Sequence, residues 1–144
     1  MKKEKRDVIL KIMTTASTGK RDRGVTELTV PGHVEYEDGR CRISYESEDG
    51  GLGEALIELT FEKNEIVTMV RTGPVSSQMI VEKNRRHMCH YTTPYGDFML
   101  GVFGQNVRAD MREHGGELDF RYSIDINSTF TSVNEVSIKV MEAQ

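Results

Sequence analysis

Apolar and polar residues alternate along much of this chain, most clearly near its C-terminal end. There, Leu118, Phe120, Tyr122, Ile124 and Ile126 are separated by single polar residues. A period of two residues is typical of a β-strand with one buried face. Similar runs recur at short intervals with turn residues between them, and no stretch shows the 3.6-residue period of an amphipathic helix. The pattern therefore predicts an all-β protein.

Tight turns should carry the buried face from one strand to the next. A two-residue turn at residues 63–64 would pair Phe61 with Ile66, and the same phase then continues through the later turns. It keeps nearly all the strong hydrophobic residues between positions 55 and 126 on one face. This phase predicts a closed or nearly closed antiparallel up-and-down barrel, as a single domain over residues 1–144. A one-residue β-bulge would reverse the facing of everything beyond it.

Further strands are predicted on both sides of this meander. Two of them, near Val8–Ser17 and Cys41–Ser47, precede it, and a third, Phe130–Val140, follows it. The total is about eight or nine strands. A barrel of that size is filled by side chains or holds one small ligand.

Composition narrows the classes of partner. The chain of 144 residues carries a net charge of −4, which argues against nucleic acid because phosphate binding requires a basic face. No apolar run is long enough to span a membrane, and Lys11 interrupts the short apolar run that follows the basic N-terminus, unlike a signal peptide. With two cysteines, Cys41 and Cys89, and no export signal, we expect free thiols and a cytoplasmic location.

One end of the predicted barrel should collect polar side chains. In a meander, alternate loops lie at the same end of the barrel. The loops predicted to share one rim are Ser47–Gly53, Thr72–Val75, Thr92–Tyr95 and Asn127–Thr129. The candidate ligand-binding residues beside this rim are Arg71, Ser77, His90, Tyr95 and Asp97. Polar groups converging above an apolar interior are typical of a small-molecule site.

Three of these residues could in principle form a nucleophilic centre. The predicted register places His90 opposite Asp97 on the inward face, with Ser77 on the next strand. A hydroxyl, an imidazole and a carboxylate in that order suit a hydrolase. A satisfied polar network at a barrel end would use the same residues, and we favour this non-enzymatic interpretation, so that no catalytic residue is assigned.

Arg71 is suited to an anionic ligand because a guanidinium group binds carboxylate or phosphate through two hydrogen bonds. The predicted phase, however, points its side chain outward beside Leu56. Pairing with a neighbouring carboxylate on the surface is therefore the favoured interpretation.

Neither a metal site nor a cofactor is predicted. His87, Cys89 and His90 are close in sequence, but a period of two places the first two on the outer face and His90 on the inner face. The chain also lacks the Cys-x-x-Cys spacing of common zinc sites.

An apolar row is predicted on the outside of the barrel. It consists of Val67, Ile80, Cys89 and Phe98, one residue from each of four strands. An exposed apolar stripe on a small protein implies a cover. We expect either a homodimer or a terminal segment of the chain itself to cover it.

Two loop motifs and their flanking residues carry a family resemblance. The motifs are Arg71–Met79 (RTGPVSSQM) and Tyr91–Gly96 (YTTPYG), and the flanking residues are Leu100–Phe103 (LGVF), Gly116–Leu118 (GEL) and Tyr122. Over nearly its whole length, the chain resembles the YwiB-like family of small bacterial proteins. The resemblance implies a calycin-like, lipocalin-related antiparallel barrel in a cytoplasmic protein. The family is uncharacterised, so the resemblance supplies no catalytic residues, and ligand binding follows only by analogy with other calycin-like barrels.

We therefore expect a barrel that binds a small molecule at one end. The alternative is a protein-interaction module or homodimer that uses the outer stripe. A hydrolase based on Ser77, His90 and Asp97 is less favoured.

Overall fold

A computed structural model describes residues 4–18, 23–37, 39–48, 53–112 and 115–143. These residues form a closed antiparallel barrel in which each strand pairs with its neighbours in sequence, and the last strand pairs with the first. The strands are β1 (Glu4–Ser17), β2 (Arg23–Glu37), β3 (Arg40–Glu48), β4 (Glu54–Glu62), β5 (Ile66–Thr72), β6 (Ser76–Glu82), β7 (Arg86–Thr93), β8 (Gly96–Arg112), β9 (Gly115–Ile126) and β10 (Thr129–Glu142). The predicted all-β up-and-down barrel is confirmed.

The described residues form ten strands rather than eight or nine because β2 was not predicted. Pro31 and Gly32 interrupt its alternation, and strand interiors generally avoid both residue types. Pro31 has no N–H to donate, and pairing with β3 occurs only beyond it, although β2 pairs with β1 from Arg23 to Tyr36. At Gly32 an added Cβ would lie 2.6 Å from a methyl carbon of Leu10 and 2.7 Å from the Ser44 carbonyl oxygen. The glycine therefore permits a close approach of the strands.

Inward side chains on neighbouring strands are register partners and form layers. We call the end with the β1–β2, β3–β4, β5–β6, β7–β8 and β9–β10 hairpins the mouth, and the opposite end the closed end. At the closed end the rings of Phe61 and Phe120 meet edge to face with centroids 5.8 Å apart. The largest fully buried side chains are Phe61, Phe120, Leu10, Ile43, Leu118, Ile138, Val67, Val81 and Val102. These side chains fill the barrel below the mouth, towards the closed end.

The turn between β4 and β5 is one residue longer than predicted. The first two of its three residues, Lys63 and Asn64, have positive φ angles of 52° and 55°, and Phe61 pairs with Val67 rather than with Ile66. A one-residue change reverses the facing of the whole following strand. The predicted outward facing of Arg71 is therefore wrong, and its side chain points into the barrel.

The turn between β5 and β6 also differs by one residue, since Ser77 pairs with Arg71 rather than with Val70, and this returns β6 to its predicted facing. A further reversal occurs between β6 and β7. Their ladder contains three residue pairs, all near the mouth. Below these pairs the strands separate, and the Ile80 N–H donates to the Cys89 thiol at 3.4 Å instead of to a ladder carbonyl. Cys89 and Tyr91 consequently face inward, whereas Met88 and His90 are exposed. The predicted facing of β7 is wrong for this reason.

The predicted outer stripe is also wrong. Val67 and Cys89 are only 0% and 3% exposed because both lie inside the barrel, and Phe98 points into its mouth. The homodimer was predicted from this stripe, and it stays a prediction without that basis.

A β-bulge in β8 restores the predicted phase. The register with β9 shifts between Gly104 and Asn106, so that the buried positions change from even-numbered residues such as Val102 to odd-numbered ones such as Val107. The inward face of β9 is therefore as predicted, including Leu118. Its pairing is displaced by two residues, and the predicted turn at residues 113–116 lies partly outside the described residues.

Gly104 is expected to be essential for the packing at the closed end of the barrel. The Asn84 N–H donates to the Gly104 carbonyl at 2.9 Å, the Gly104 N–H donates to the Arg85 carbonyl at 3.1 Å, and an added Cβ would overlap the Glu82 carbonyl group. Gly104→Ala should lower the free energy of unfolding by about 1–3 kcal/mol. In Gly24→Ala the new Cβ meets nothing within 4 Å, and the change should stay within about 0.5 kcal/mol. Urea denaturation followed by circular dichroism measures both, and equal losses would contradict the role of Gly104.

Candidate functional site

A cavity of about 580 Å³ opens at the mouth of the barrel. Its floor includes Phe120 and Met79, and its walls come from β1 and from β3–β10. The volume lies within the range of small-molecule sites, roughly 300–1,000 Å³. The barrel is thus filled at one end and hollow at the other, as the predicted position of the site requires.

A single row of register partners crosses six strands at the mouth. Each residue in it pairs with the next, from β3 to β8, and all of them line the cavity. We call this set the mouth row: Tyr45, Ile57, Arg71, Ser77, Tyr91 and Phe98. Four of its six side chains carry a polar group.

The layers below the mouth row are apolar. Ile43, Leu59, Met69 and Met79 are successive partners in the second layer, and Cys41, Phe61, Val67 and Val81 follow in the third. Polar and apolar groups are therefore separated along the barrel axis. A bound molecule would meet hydrogen-bonding groups at the entrance and hydrocarbon further in.

Arg71 is the only charged side chain among the described residues that line the cavity. It is half-buried, with Ile57 and Ser77 as its register partners on either side. A guanidinium group keeps its charge at any ordinary pH and offers five N–H donors. The described lining therefore carries positive charge and no carboxylate.

The phenols of Tyr45 and Tyr122 stay protonated at neutral pH. Burial raises the pKa of Tyr45 above its usual value, and the nearby Arg71 guanidinium offsets part of this rise. Burial alone raises the pKa of Tyr122 to about 12, and the Tyr122 ring stacks on Phe120 with centroids 5.8 Å apart. Both hydroxyls are therefore able to donate hydrogen bonds to a ligand.

The loop between β5 and β6 holds Arg71 and Ser77 in place. The Ser76 hydroxyl donates to the Gly73 carbonyl at 3.1 Å across the loop. A Cβ at Gly73 would lie 2.9 Å from the Glu54 carbonyl oxygen, so the glycine allows the loop to pack on the start of β4. This contact fixes the two strand ends that carry the charged and hydroxyl groups.

Two of the five predicted site residues line the cavity. Ser77 does so as predicted, although its partner across the hairpin is Arg71 rather than Val70. Arg71 joins it because the facing of β5 is the reverse of the prediction.

The other three predicted residues lie outside the cavity. His90 and Asp97 are exposed, and they pair with Met99 and Thr92 rather than with each other, because the facing of β7 and β8 is reversed. Tyr95 belongs to a mouth loop, as predicted, but it is 85% exposed. Their role in ligand binding is untested, but none of them lines the wall of the cavity.

The predicted nucleophilic centre is not assembled. Ser77 faces inward and His90 faces outward, on adjacent strands, so the barrel wall separates the hydroxyl from the imidazole. In the described part of the chain, no group of three or more His, Cys, Asp or Glu side chains could hold a metal ion. His87 instead makes a 2.8 Å contact with a Glu82 carboxylate oxygen in the gap between β6 and β7.

Both cysteines are free and buried. Burial raises the pKa of Cys41 to about 12, and burial also raises the pKa of Cys89 despite the hydrogen bond from Ile80. Because the thiolate is the reactive form, these side chains act as packing groups rather than as nucleophiles.

Comparison with known proteins places the fold in a family. A model described as a domain of unknown function, DUF1934, matches residues 10–138. The chain belongs to the DUF1934 family. This DUF1934 barrel is similar to the crystal structure of the ywiB protein from Bacillus subtilis, with a TM-score of 0.85 and 16% identity over 97% of this chain and 94% of that chain. At this identity the likeness concerns the fold alone, and with the family match it confirms the predicted YwiB-like resemblance. No curated protein matches the chain in a sequence search.

The DUF1934 barrel also has cavity-lining residues that were not predicted from the sequence. Tyr45, Tyr91 and Phe98 belong to the mouth row, and Tyr122 lines the cavity from β9, the strand next to β8. The sequence signal for them was an aromatic residue near the mouth end of a strand whose polar and apolar residues alternate. For Tyr91 and Phe98 the incorrect phase of β7 and β8 concealed it.

The described residues contain no helix with the length and apolar character needed to cross a membrane.

The alkaline stability of the DUF1934 barrel should depend on Tyr122. Tyr122 is 8% exposed and the pKa of its phenol rises from 10.0 to about 12 on folding, so the folded state holds this proton while the unfolded state releases it. The stabilisation is complete below pH 10 and is lost as the pH rises towards 12, by up to about 1.4 kcal/mol per pH unit.

Tyr122→Phe should therefore remove that slope from the pH dependence of the free energy of unfolding. Urea titrations between pH 9 and 12, compared with wild type, measure it. Tyrosinate absorbance should lose its last-titrating component in the same variant. Identical slopes for the two proteins would show that Tyr122 titrates normally.

Proposed function

We propose that this protein binds a small, largely apolar molecule in the cavity at the mouth of its barrel. The observation that carries the proposal is the axial separation of the lining, with a polar mouth row above apolar layers and about 580 Å³ of space between them. A site of this kind gains affinity from apolar burial and specificity from a few placed polar groups.

The hollow mouth supports binding rather than a purely structural role. Protein interiors are normally close-packed, with few voids larger than a water molecule. The closed end of this barrel follows that rule, since Phe61, Val67 and Val81 are almost completely buried. Within the described barrel interior, the cavity lies at the end where the polar groups also collect, and this coincidence favours a ligand.

A binding protein is favoured over an enzyme. Ser77 is the serine of the mouth row, and its cross-strand partners are Arg71 and Tyr91 rather than a histidine. A serine nucleophile needs an adjacent general base. The cytoplasmic location and the homodimer remain predictions from the sequence.

A matched pair of variants tests the proposal. Ser77→Phe places a ring in the cavity, whereas Gln78→Phe places the same ring at the next, exposed position of β6. The probe is N-phenyl-1-naphthylamine, an uncharged apolar fluorophore. We expect saturable fluorescence enhancement with wild type and with Gln78→Phe, and at least roughly tenfold weaker binding by Ser77→Phe, because the ring occupies the ligand volume.

Thermal unfolding of each variant serves as the control for folding. Non-saturable fluorescence with wild type would contradict the proposal. So would unchanged affinity in a folded Ser77→Phe protein, since the probe would then bind elsewhere.

A further inference from the structure

We infer that the ligand is a planar aromatic molecule with a hydrogen-bond acceptor that the Tyr122 hydroxyl binds. This inference rests on the proposed function and adds the chemical class of the ligand. It depends on two observations: the concentration of aromatic side chains around the cavity, and a buried hydroxyl there that makes no hydrogen bond within the described chain.

Aromatic residues are concentrated around the cavity. The chain contains five tyrosines, five phenylalanines and no tryptophan, and half of these aromatic residues are among the 19 described residues that line the cavity. They are Tyr45, Tyr91, Phe98, Phe120 and Tyr122. Elsewhere in a core such large rings fill the interior, whereas these five surround open space.

The rings near the floor already form a series of contacts. Phe120 and Tyr122 lie nearly parallel, with 16° between their planes, and Phe61 meets Phe120 edge to face from the closed end. Such arrangements are more favourable than the buried area alone predicts. Met69 and Met79 also line the cavity, and a thioether sulfur contacts ring edges favourably. A planar ring in the ligand would extend this series, which a flexible alkyl chain cannot do.

The Tyr122 hydroxyl lacks a hydrogen-bond partner among the described residues. Tyr122 is 8% exposed, and its hydroxyl makes no hydrogen bond with another described residue. Every fully enclosed side-chain nitrogen or oxygen in that part of the chain has a partner, so this hydroxyl opens onto the cavity rather than into the wall. Buried polar groups are normally hydrogen-bonded. An acceptor on the ligand would complete this one.

This hydroxyl offers a donor close to the stacked rings. Its proton is retained at neutral pH because burial raises the pKa of the phenol to about 12. Along β9, Tyr122 is the next inward residue after Phe120 in the floor. A ketone oxygen or a ring nitrogen of the ligand can accept the hydrogen bond, and this acceptor would lie beside the aromatic series.

Two probes that differ in one group test the hydrogen bond. 2-Acetylnaphthalene has a ketone oxygen where 2-isopropylnaphthalene has a methyl group, and each is titrated against protein loaded with N-phenyl-1-naphthylamine. Tyr122→Phe removes the hydroxyl and keeps the ring. We expect this variant to bind the ketone roughly three- to tenfold more weakly than wild type does, the effect of one net hydrogen bond, and to bind the hydrocarbon no more weakly. Retained hydrocarbon binding also shows that the variant is folded.

Tyr91→Phe is the matched control, because it removes a hydroxyl from the mouth row of the same cavity. It should bind both probes as wild type does. Equal losses of ketone affinity in the two variants would overturn the assignment to Tyr122. Unchanged ketone affinity in Tyr122→Phe would do the same.

Infrared spectroscopy of the ketone bound to wild type gives a readout that needs no variant. A carbonyl group that accepts a hydrogen bond absorbs at a lower frequency than a free one. The carbonyl stretch of bound 2-acetylnaphthalene should therefore lie below its value in a hydrocarbon solvent, and an equal frequency would contradict the hydrogen bond.

A saturated analogue tests the aromatic class. 2-Acetyldecahydronaphthalene has the same carbon skeleton and the same ketone, but its rings are puckered and have a larger apolar surface. A cavity that selects by apolar area alone would prefer it. We expect wild type to bind the aromatic ketone at least roughly twofold more tightly, the lower end of the gain from one aromatic contact. Equal or tighter binding of the saturated ketone would show that the aromatic class is wrong.

The two proposals fail in different ways. If the fluorophore binds wild type and Ser77→Phe blocks it, but the two ketones and Tyr122→Phe give the contrary results above, the cavity is a binding site and the class of ligand is wrong. If the fluorophore does not bind in the cavity at all, the proposed function itself is wrong.

Discussion

Cross-strand register is the constraint on which the rest of this structure depends. In a closed ladder every strand is hydrogen-bonded on both sides, so shifting one strand by a residue would move its buried face to the solvent. Register also fixes which side chains share a height along the barrel. Arg71 lies beside Ser77, and Ser77 beside Tyr91, because the backbones of β5, β6 and β7 are paired at those positions.

The same register divides the interior into two parts with different physical properties. Near the closed end, close packing of Phe61 and Phe120 excludes water and holds the fold together. Towards the mouth, the lining is loose enough to leave a cavity but still buried enough to keep the phenol of Tyr122 protonated, since burial disfavours the charged form. Stability and the candidate binding site thus occupy opposite ends of one barrel.

Departures from regular pairing bring the residues of the candidate site together. The extra residue before β5 turns Arg71 inward, the separation of β6 from β7 turns Tyr91 inward, and the bulge beyond Gly104 returns the strand to a phase that buries Val107. Such irregularities often redirect a side chain towards a functional position. The fold alone does not establish a ligand, but these changes explain why the charged and aromatic groups share one mouth.

The sequence by itself determined the class of fold, the common rim of the mouth loops and the inward face of β9, because a period of two residues and short turns are local properties. It also predicted the inward facing of Ser77, for which the errors in the turns before β5 and β6 cancel. Only the tertiary structure decided that Arg71 faces inward and that His90 and Asp97 do not. Each of those outcomes depends on a one-residue difference in a turn or bulge. Such differences are set by contacts that are distant in sequence, as between Gly104 and the turn at Glu82. Local alternation carries no information about them, because a strand pattern is the same whichever face is turned towards the core.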